Sequence, residues 1–583
     1  MNLKHYSIIF LALLFVSCAN RGIGPQGGPK DSVPPVPLKS DPEIGALNFH
    51  GKRIEVTFNE YIELADVVSN LLMSPPQQKA PEVKARGKRL IVQFQDSLRD
   101  STTYTIDFGD AVCDFRERVP LHGYSFYFST GDQIDTLDAR GYVYEAENLN
   151  PVKGLLAGIH RNMADSAFVS EPFLRIAKTD STGAFRIGNI HPGTYRIYAV
   201  DDVSRDYRLT PGEALAFADD PIRVQPRDTT DSTAGPITTL FLFKEQQKKL
   251  YLQRTQRDQR HRITVSFSSP PDSLPTVRPV LGADSLDLNY HTRFSAKGDT
   301  MIIWLADSMS ISRDSLFFEL RYRRTDSLYR LEWFTDTIRA IWRAPRLSAK
   351  ARETQEKQLR NRRLELKTNA RRGFDIYDTL RLDCTTPLAS IARDSIHLFE
   401  QIDTVLRPVP FTILPYDSLP MHISFAAELK PDGKYELRLD SGALHDIYGI
   451  THIKGSYSLQ LKALSDYSTL RVKLSPMVPK ARIQVLNAKD EVLRELPAAE
   501  EGALFEYLKP DGYYVRMYID HNGDGRWTTG SWAEKRQPEP VYYFPEKIQT
   551  KSNWDFEEEW DYTVRPQTQT KPKELIKASS KKK

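Results

Sequence analysis

Polar and apolar residues alternate in short runs along almost the whole chain, and each run is cut off by turn formers. Arg53-Ile54-Glu55-Val56-Thr57-Phe58 is the plainest case. A side-chain period of two gives a strand one buried and one wet face. Arg86-Gly87-Lys88, Asp96-Ser97 and Gly109-Asp110 separate it from Leu90–Phe94, Thr103–Phe108 and Tyr124–Phe128. Short strands at regular spacing, with turn punctuation between them, predict an all-β fold of tandem sandwiches.

At roughly 100–200 residues per domain, 583 residues suggest four or five domains. The expected sandwiches span 41–131, 132–245, 246–345, 364–463 and 464–562. In the second, Thr179–Ile187 is expected as a hairpin turning on Ser181-Thr182-Gly183. A charged, Gly-free stretch at 346–363 predicts a linker. The segment 563–583 lacks strand patterning, ends in three lysines and is expected to be a basic, disordered tail. The fourth sandwich parallels the first, with Gly433–Leu439 matching Ser101–Asp107 and Asp446–Gly449 matching Asp114–Glu117. The fifth parallels the second, with Pro510–Asp520 matching Pro192–Asp201. This is a duplicated pair of modules with one more between them.

The N-terminus has the shape of a lipoprotein signal peptide over 1–17. Lys4 and His5 are its basic end, and Ile8–Val16 is an apolar core too short to span a bilayer. Phe15-Val16-Ser17 precedes Cys18 in the manner of a lipobox, with Phe15 where Leu is usual. Cleavage there would leave Cys18 to be acylated, by palmitate-type chains worth roughly 0.8 kcal/mol per buried CH₂. Residues 18–40, rich in Gly and Pro, are expected to be a tether. No later segment is apolar enough to span, so the membrane partnership would rest on the lipid. Eighty basic and 76 acidic residues give a net charge of +4. That balance offers no argument for nucleic acid as a partner. Cys113 and Cys384 fall in different expected domains and predict free thiols.

The stretch from Cys18 through Gly27-Gly28-Pro29-Lys30-Asp31 resembles the start of Bacteroidota Ig-like-domain lipoproteins. Phe58-Asn59-Glu60-Tyr61-Ile62, Tyr104–Ala111 and Phe126–Gly131 resemble the bacterial S-layer type of Ig-like module. The second and fifth units resemble prealbumin-like or carboxypeptidase-regulatory sandwiches. The resemblance implies an outer-membrane lipoprotein that partners other outer-membrane proteins, as an accessory subunit of an assembly or secretion complex. Cell-surface exposure is the expectation over the periplasmic face, although Ala19-Asn20-Arg21-Gly22 lacks the acidic export signal of such bacteria.

Two local sets could carry chemistry. Asp520, Asn522 and Asp524 occupy positions 1, 3 and 5 of an EF-hand-like loop, with Gly525 at 6. Alternate oxygen ligands and a sharp turn suit Ca²⁺. Position 12, however, is Ser531 where a bidentate Glu belongs, and the other reading is an Asx- and Gly-rich turn. The related segment at Asp201–Tyr207 lacks the Gly and Asn and predicts no metal. Aromatic residues crowd the C-terminal sandwich, and Trp527, Trp532 and Tyr543 are candidates for a binding platform. One ring of Tyr542-Tyr543-Phe544 must face outward if the segment is a strand. No HExxH, GxSxG, P-loop or dinucleotide fingerprint is present. The expectation is a non-enzymatic envelope scaffold that requires no cofactor. A glycan-binding surface lipoprotein is the alternative.

Overall fold

The computed structural model describes residues 31–226, 237–245, 249–280, 289–326, 330–344, 348, 362–416 and 419–577. The signal peptide, Cys18 and most of the 346–363 linker lie outside the described residues. The chain divides into two compact units, one holding Met1–Glu145, Asn150–Leu242 and Lys577–Lys583, the other Ala146–Leu149 and Phe243–Ile576. Among the described residues no helix is long and apolar enough to cross a membrane.

The first unit contains two hydrophobic cores. One gathers Ile54, Val56, Leu90, Ile106, Phe126 and Phe128 from two facing sheets. Its first sheet runs in the order Pro37–Asp41, Arg53–Phe58, Arg89–Gln93, Glu82–Arg86; its second in the order Leu72–Ser74, Thr103–Asp107, Ser125–Ser129. Pro37–Asp41 corrects the expected tether. These residues pair antiparallel with Arg53–Phe58 as an edge strand, where a proline's missing N–H is tolerated.

The second core collects Val143, Ile159, Phe185, Ile197 and Leu240. Leu137–Glu145 lies between Ala184–Ile190 and Ile237–Leu242, and is parallel to the latter over six residue pairs. Leu156–His160 joins Arg175–Lys178 to Gly193–Val200, which carries Leu215–Phe217 and Ile222–Val224. The expected Thr179–Ile187 hairpin is not one. Arg175–Lys178 pairs in one sheet and Ala184–Ile190 in the other, so the turn after Thr179 carries the chain between layers. The Asp180 carboxylate shapes that turn by accepting from the Thr182 and Ala184 amides (2.8 and 3.0 Å).

The second unit holds three cores. The first spans Leu250–Ala340, with sheets ordered Leu252–Gln259, Arg262–Phe267, Thr300–Leu305, Tyr290–Phe294 and Thr276–Pro279, Ser315–Thr325, Leu331–Ile341. This is the strand order of the sandwich at Pro37–Ser129. The next core, Leu364–Leu461, repeats the order with two strands added at the edges of its second sheet, Arg372–Phe374 and Val405–Pro408. It also repeats the small Ile62–Leu64 with Val112–Asp114 pairing, as Leu388–Ile391 with Leu444–Asp446. The last core, from Leu470 to Trp560, has the connectivity of the second sandwich, including parallel first and last strands, Ser468–Leu474 and Asp555–Trp560. Buried Cys113 and Cys384 are both free; burial raises both thiol pKa values, that of Cys384 to about 12.

The tail also departs from expectation. Residues 566–577 are ordered, with Leu575 buried and Thr570 Oγ1 accepting from the Tyr543 amide (3.2 Å). Gln567 Nε2 donates to Val541 O (3.0 Å). Lys571 is buried against Asp490 (2.8 Å) within the second unit. The run of lysines concealed a segment whose few buried groups close over a strand.

Candidate functional site

Gly512–Ile519 ends in the loop that carries the candidate ligands. Asp520 is buried. Its Oδ1 accepts from the Gly523 and Asp524 amides (2.6 and 3.2 Å), and its Oδ2 from Gly525 (2.8 Å). Asn522 Oδ1 accepts from the Asp524 amide (2.9 Å), and Asp524 Oδ1 from Arg526 (2.8 Å). Glu539, also buried, closes the loop from its far side by accepting from the His521 and Thr528 amides (both 2.9 Å). Burial raises the Glu539 pKa, and the Asp520 charge adds to the rise. The structure therefore brings Asp520, Asn522 and Asp524 into one turn. Ser531 takes no part in that turn; its backbone pairs with that of Arg536 (2.8 and 2.9 Å). Among the described residues no group of three or more His, Cys, Asp or Glu is placed to hold a metal ion.

The second sandwich contains the same loop, one residue out from the expected alignment, because Asp202 rather than Asp201 heads it. Asp202 accepts from the Asp206 and Tyr207 amides (both 3.1 Å), four and five residues on, as Asp520 does. Asp206 accepts from Arg208, and Thr210 Oγ1 donates to Asp206, as Thr528 Oγ1 does to Asp524. Glu213 takes the Val203, Ser204 and Thr210 amides, the part played by Glu539. Sequence reasoning missed both glutamates; the available signal was an acid shortly before the following strand. Backbone bonds to a leading aspartate and a closing glutamate thus set the shape of both loops. They differ at the two positions with positive φ. Gly523 and Gly525 occupy them in the fifth sandwich (74° and 73°), Arg205 and Tyr207 in the second (58° and 60°).

The aromatic candidates do not form one platform. Trp527 is half-buried and its indole N–H donates to Glu539 O (2.9 Å). Trp532 is half-buried, with Lys535 Nζ 2.9 Å from its ring centroid. Tyr543 is fully buried, and its hydroxyl lies 3.0 Å from Asp490 Oδ1 in a network with Arg516 and Lys571. Phe544 packs into the core on the opposite face, and the tail covers the Tyr543 side. The ring expected to face solvent is therefore enclosed.

Titratable groups also clamp neighbouring sandwiches inside each unit. In the first, Arg175 is buried, donates to Ser74 O (3.3 Å) and to Thr103 O, and lies 3.6 Å from Asp135; burial lowers its pKa to about 10. In the second, buried Asp375 accepts from Lys462 (2.8 Å), Tyr467 Oη (2.9 Å) and Lys509 (3.0 Å). Burial raises the Asp375 pKa, but hydrogen bonds from Lys462, Lys509 and Tyr467 outweigh it and bring the value to about 2. His261 stacks on Trp304 and meets Tyr448 edge-on (5.2 Å). Tyr448 Oη donates to Leu305 O (2.9 Å).

Residues 31–130 match the bacterial Ig-like domain family. The match takes in the Pro37–Asp41 edge strand, and the strand order of this Ig-like domain recurs twice in the second unit. No curated protein matches the chain. Among solved structures, the N-terminal part of the bacterial S-layer protein SbsC is 11% identical over 32% of this chain and 40% of that one (TM-score 0.14). Domains 1–6 of SbsC are 9% identical over 85% and 62% (TM-score 0.14). An α2-macroglobulin fragment from Escherichia coli is 11% identical over 52% and 97% (TM-score 0.16). The chain spans less than two-thirds of the length of either SbsC structure. The family match and the strand order carry the fold assignment.

Proposed function

We propose that this chain is a non-enzymatic cell-envelope scaffold of the Bacteroidota Ig-like lipoprotein kind. Acyl chains on Cys18 hold it to the outer membrane, and its sandwiches engage outer-membrane proteins at the cell surface. The observation that supports this reading most is the placement of the matched Ig-like domain. It begins at residue 31, within the Gly- and Pro-rich stretch behind Cys18, and further separate β cores follow it. A module chain of this kind offers surfaces, and the lipid supplies the location.

The test is metabolic labelling with an alkyne palmitate analogue, with Cys18→Ser as the control. A mild-detergent pull-down and protease shaving of intact cells accompany it. Label that disappears in C18S, a stoichiometric outer-membrane partner and cleavage on intact cells are expected. An unlabelled, freely soluble mature chain, or turnover of a substrate, overturns the reading.

A further inference from the structure

We propose that a cleft in the first unit binds a short peptide segment bearing a carboxylate. The cleft has a volume of about 580 Å³ and is walled by Pro76, Gln77 and Arg99 of the Ig-like domain and by Pro172, Arg205 and Tyr207 of the second sandwich. That volume falls within the roughly 300–1,000 Å³ usual for ligand sites.

Three observations converge. The first is Gln77, whose amide nitrogen and oxygen are both shut off from solvent with no hydrogen-bond partner among the described residues. Buried amides are normally satisfied on both sides. Turned into the cleft, that amide meets both the donor and the acceptor of a peptide group, which a simple anion does not offer together. The second is charge. Arg208 is neutralised by Asp206 (2.8 Å), and Asp96 is occupied by the Lys79 amide (2.7 Å). Arg99 and Arg205 line the cleft with no carboxylate partner among the described residues, and set against the single remaining charge of Asp96 they leave it net positive. Guanidinium forks suit carboxylates.

The third is backbone conformation. Arg205 and Tyr207 hold the two left-handed positions that the equivalent loop of the fifth sandwich gives to Gly523 and Gly525. The left-handed region is unfavourable for side chains, and more so for a bulky one. The loop is held there by Asp202, with Tyr207 O accepting from the Phe173 amide (2.8 Å). Both residues retained against that strain line the cleft, as expected where strain serves a site. Tyr207 and the two prolines supply apolar walls for the segment's side chains.

The proposal stands whether or not Cys18 is acylated. Its test is calorimetric titration of the full chain in mild detergent with acetyl-Ala-Ala-Glu-Glu as the free acid. The same peptide amidated, acetyl-Ala-Ala-Gln-Gln-amide and succinate serve as comparators. Both acidic peptides are expected to bind, the free acid more tightly if the partner presents a chain end. Arg99→Gln and Arg205→Gly are each expected to weaken binding about tenfold, and Gln77→Leu severalfold. Arg205→Gly relaxes the backbone, so lost binding in that variant is not a folding defect. Absence of binding, equal binding of the neutral peptide or of succinate, or affinities unchanged in R99Q and R205G overturns the proposal.

Discussion

Exchanging the residues at the left-handed positions of the two matching loops isolates the backbone term. Arg205 is exposed and has no ion-pair partner among the described residues, so Arg205→Gly removes little but conformational strain. A side chain in the left-handed region costs roughly 1–2 kcal/mol. Glycine relieves this but gains about 0.5–1 kcal/mol of freedom in the unfolded chain. The net expectation is a stabilisation of about 0.5–1 kcal/mol, or roughly a two- to fivefold smaller opening constant for the loop. The reverse exchange is Gly523→Ala. A Cβ there meets nothing within 4 Å, so no clash intervenes. The loss is the backbone term alone, about 1 kcal/mol or roughly fivefold. Hydrogen exchange at the amides that donate to the leading aspartates reads both. Asp206 and Tyr207 should gain protection in R205G, and Asp524 and Gly525 should lose it in G523A. Unchanged or weaker protection in R205G, together with unchanged protection in G523A, would refute the equivalence of the two loops and the strain assigned to the first.

Asp375→Asn removes the buried negative charge shared by Lys462, Lys509 and Tyr467 and turns one of its two acceptor oxygens into a donor; it should destabilise the second unit by about 2–3 kcal/mol, read as a lower melting temperature and faster exchange at Ile376. The folded Asp375 pKa lies at about 2 against an ordinary 3.8, so its contribution is complete above about pH 4 and fades as pH falls toward 2. With half-exposed Lys509 and Arg371 screened by solvent, that contribution is about 1–2 kcal/mol. The His261 pKa is lowered to about 4 by burial and by the charges of Arg362 and Arg262; the neutral ring therefore stabilises fully above about pH 6.5, and the effect is lost between there and pH 4. Its partial exposure discounts the full shift to about 1–2 kcal/mol, and His261→Gln should abolish this acid step in a melting-versus-pH series. Tyr543→Phe deprives Asp490 and Arg516 of a buried hydroxyl, at about 1–3 kcal/mol. It should hasten tryptic cleavage after Lys573, and an unchanged cleavage rate contradicts the tail packing.

Strands such as Arg53–Phe58 and Arg262–Phe267 were legible because one face of each is buried and alternation records that face. The parallels drawn between Gly433–Leu439 and Ser101–Asp107, and between Asp446 and Asp114, survive as equivalent strands and equivalent loop-capping aspartates. What escaped was information held in pairing. Nothing local says that Arg175–Lys178 and Ala184–Ile190 join different sheets, because a tight turn can cross layers as easily as close a hairpin. Pro37 disguised an edge strand as tether. The tail hid because its buried residues, the run Thr570 to Pro572 and then Leu575, follow neither a strand nor a helix period. At the candidate loop, Asp520 and its neighbours could be found by spacing. Glu539 could not, since nineteen residues and a turn separate it from the aspartate whose loop it closes.

The parallel neighbours at the two ends of the second and fifth sandwiches have a mechanical consequence. Leu137–Glu145 opens its module and Ile237–Leu242 closes it, side by side and pointing the same way; Ser468–Leu474 and Asp555–Trp560 do likewise. Tension drawn through the chain pulls such strands lengthwise past each other, so every hydrogen bond between them bears load together instead of parting one at a time. Modules wired in this manner resist stretching far better than ones whose bonds part in sequence.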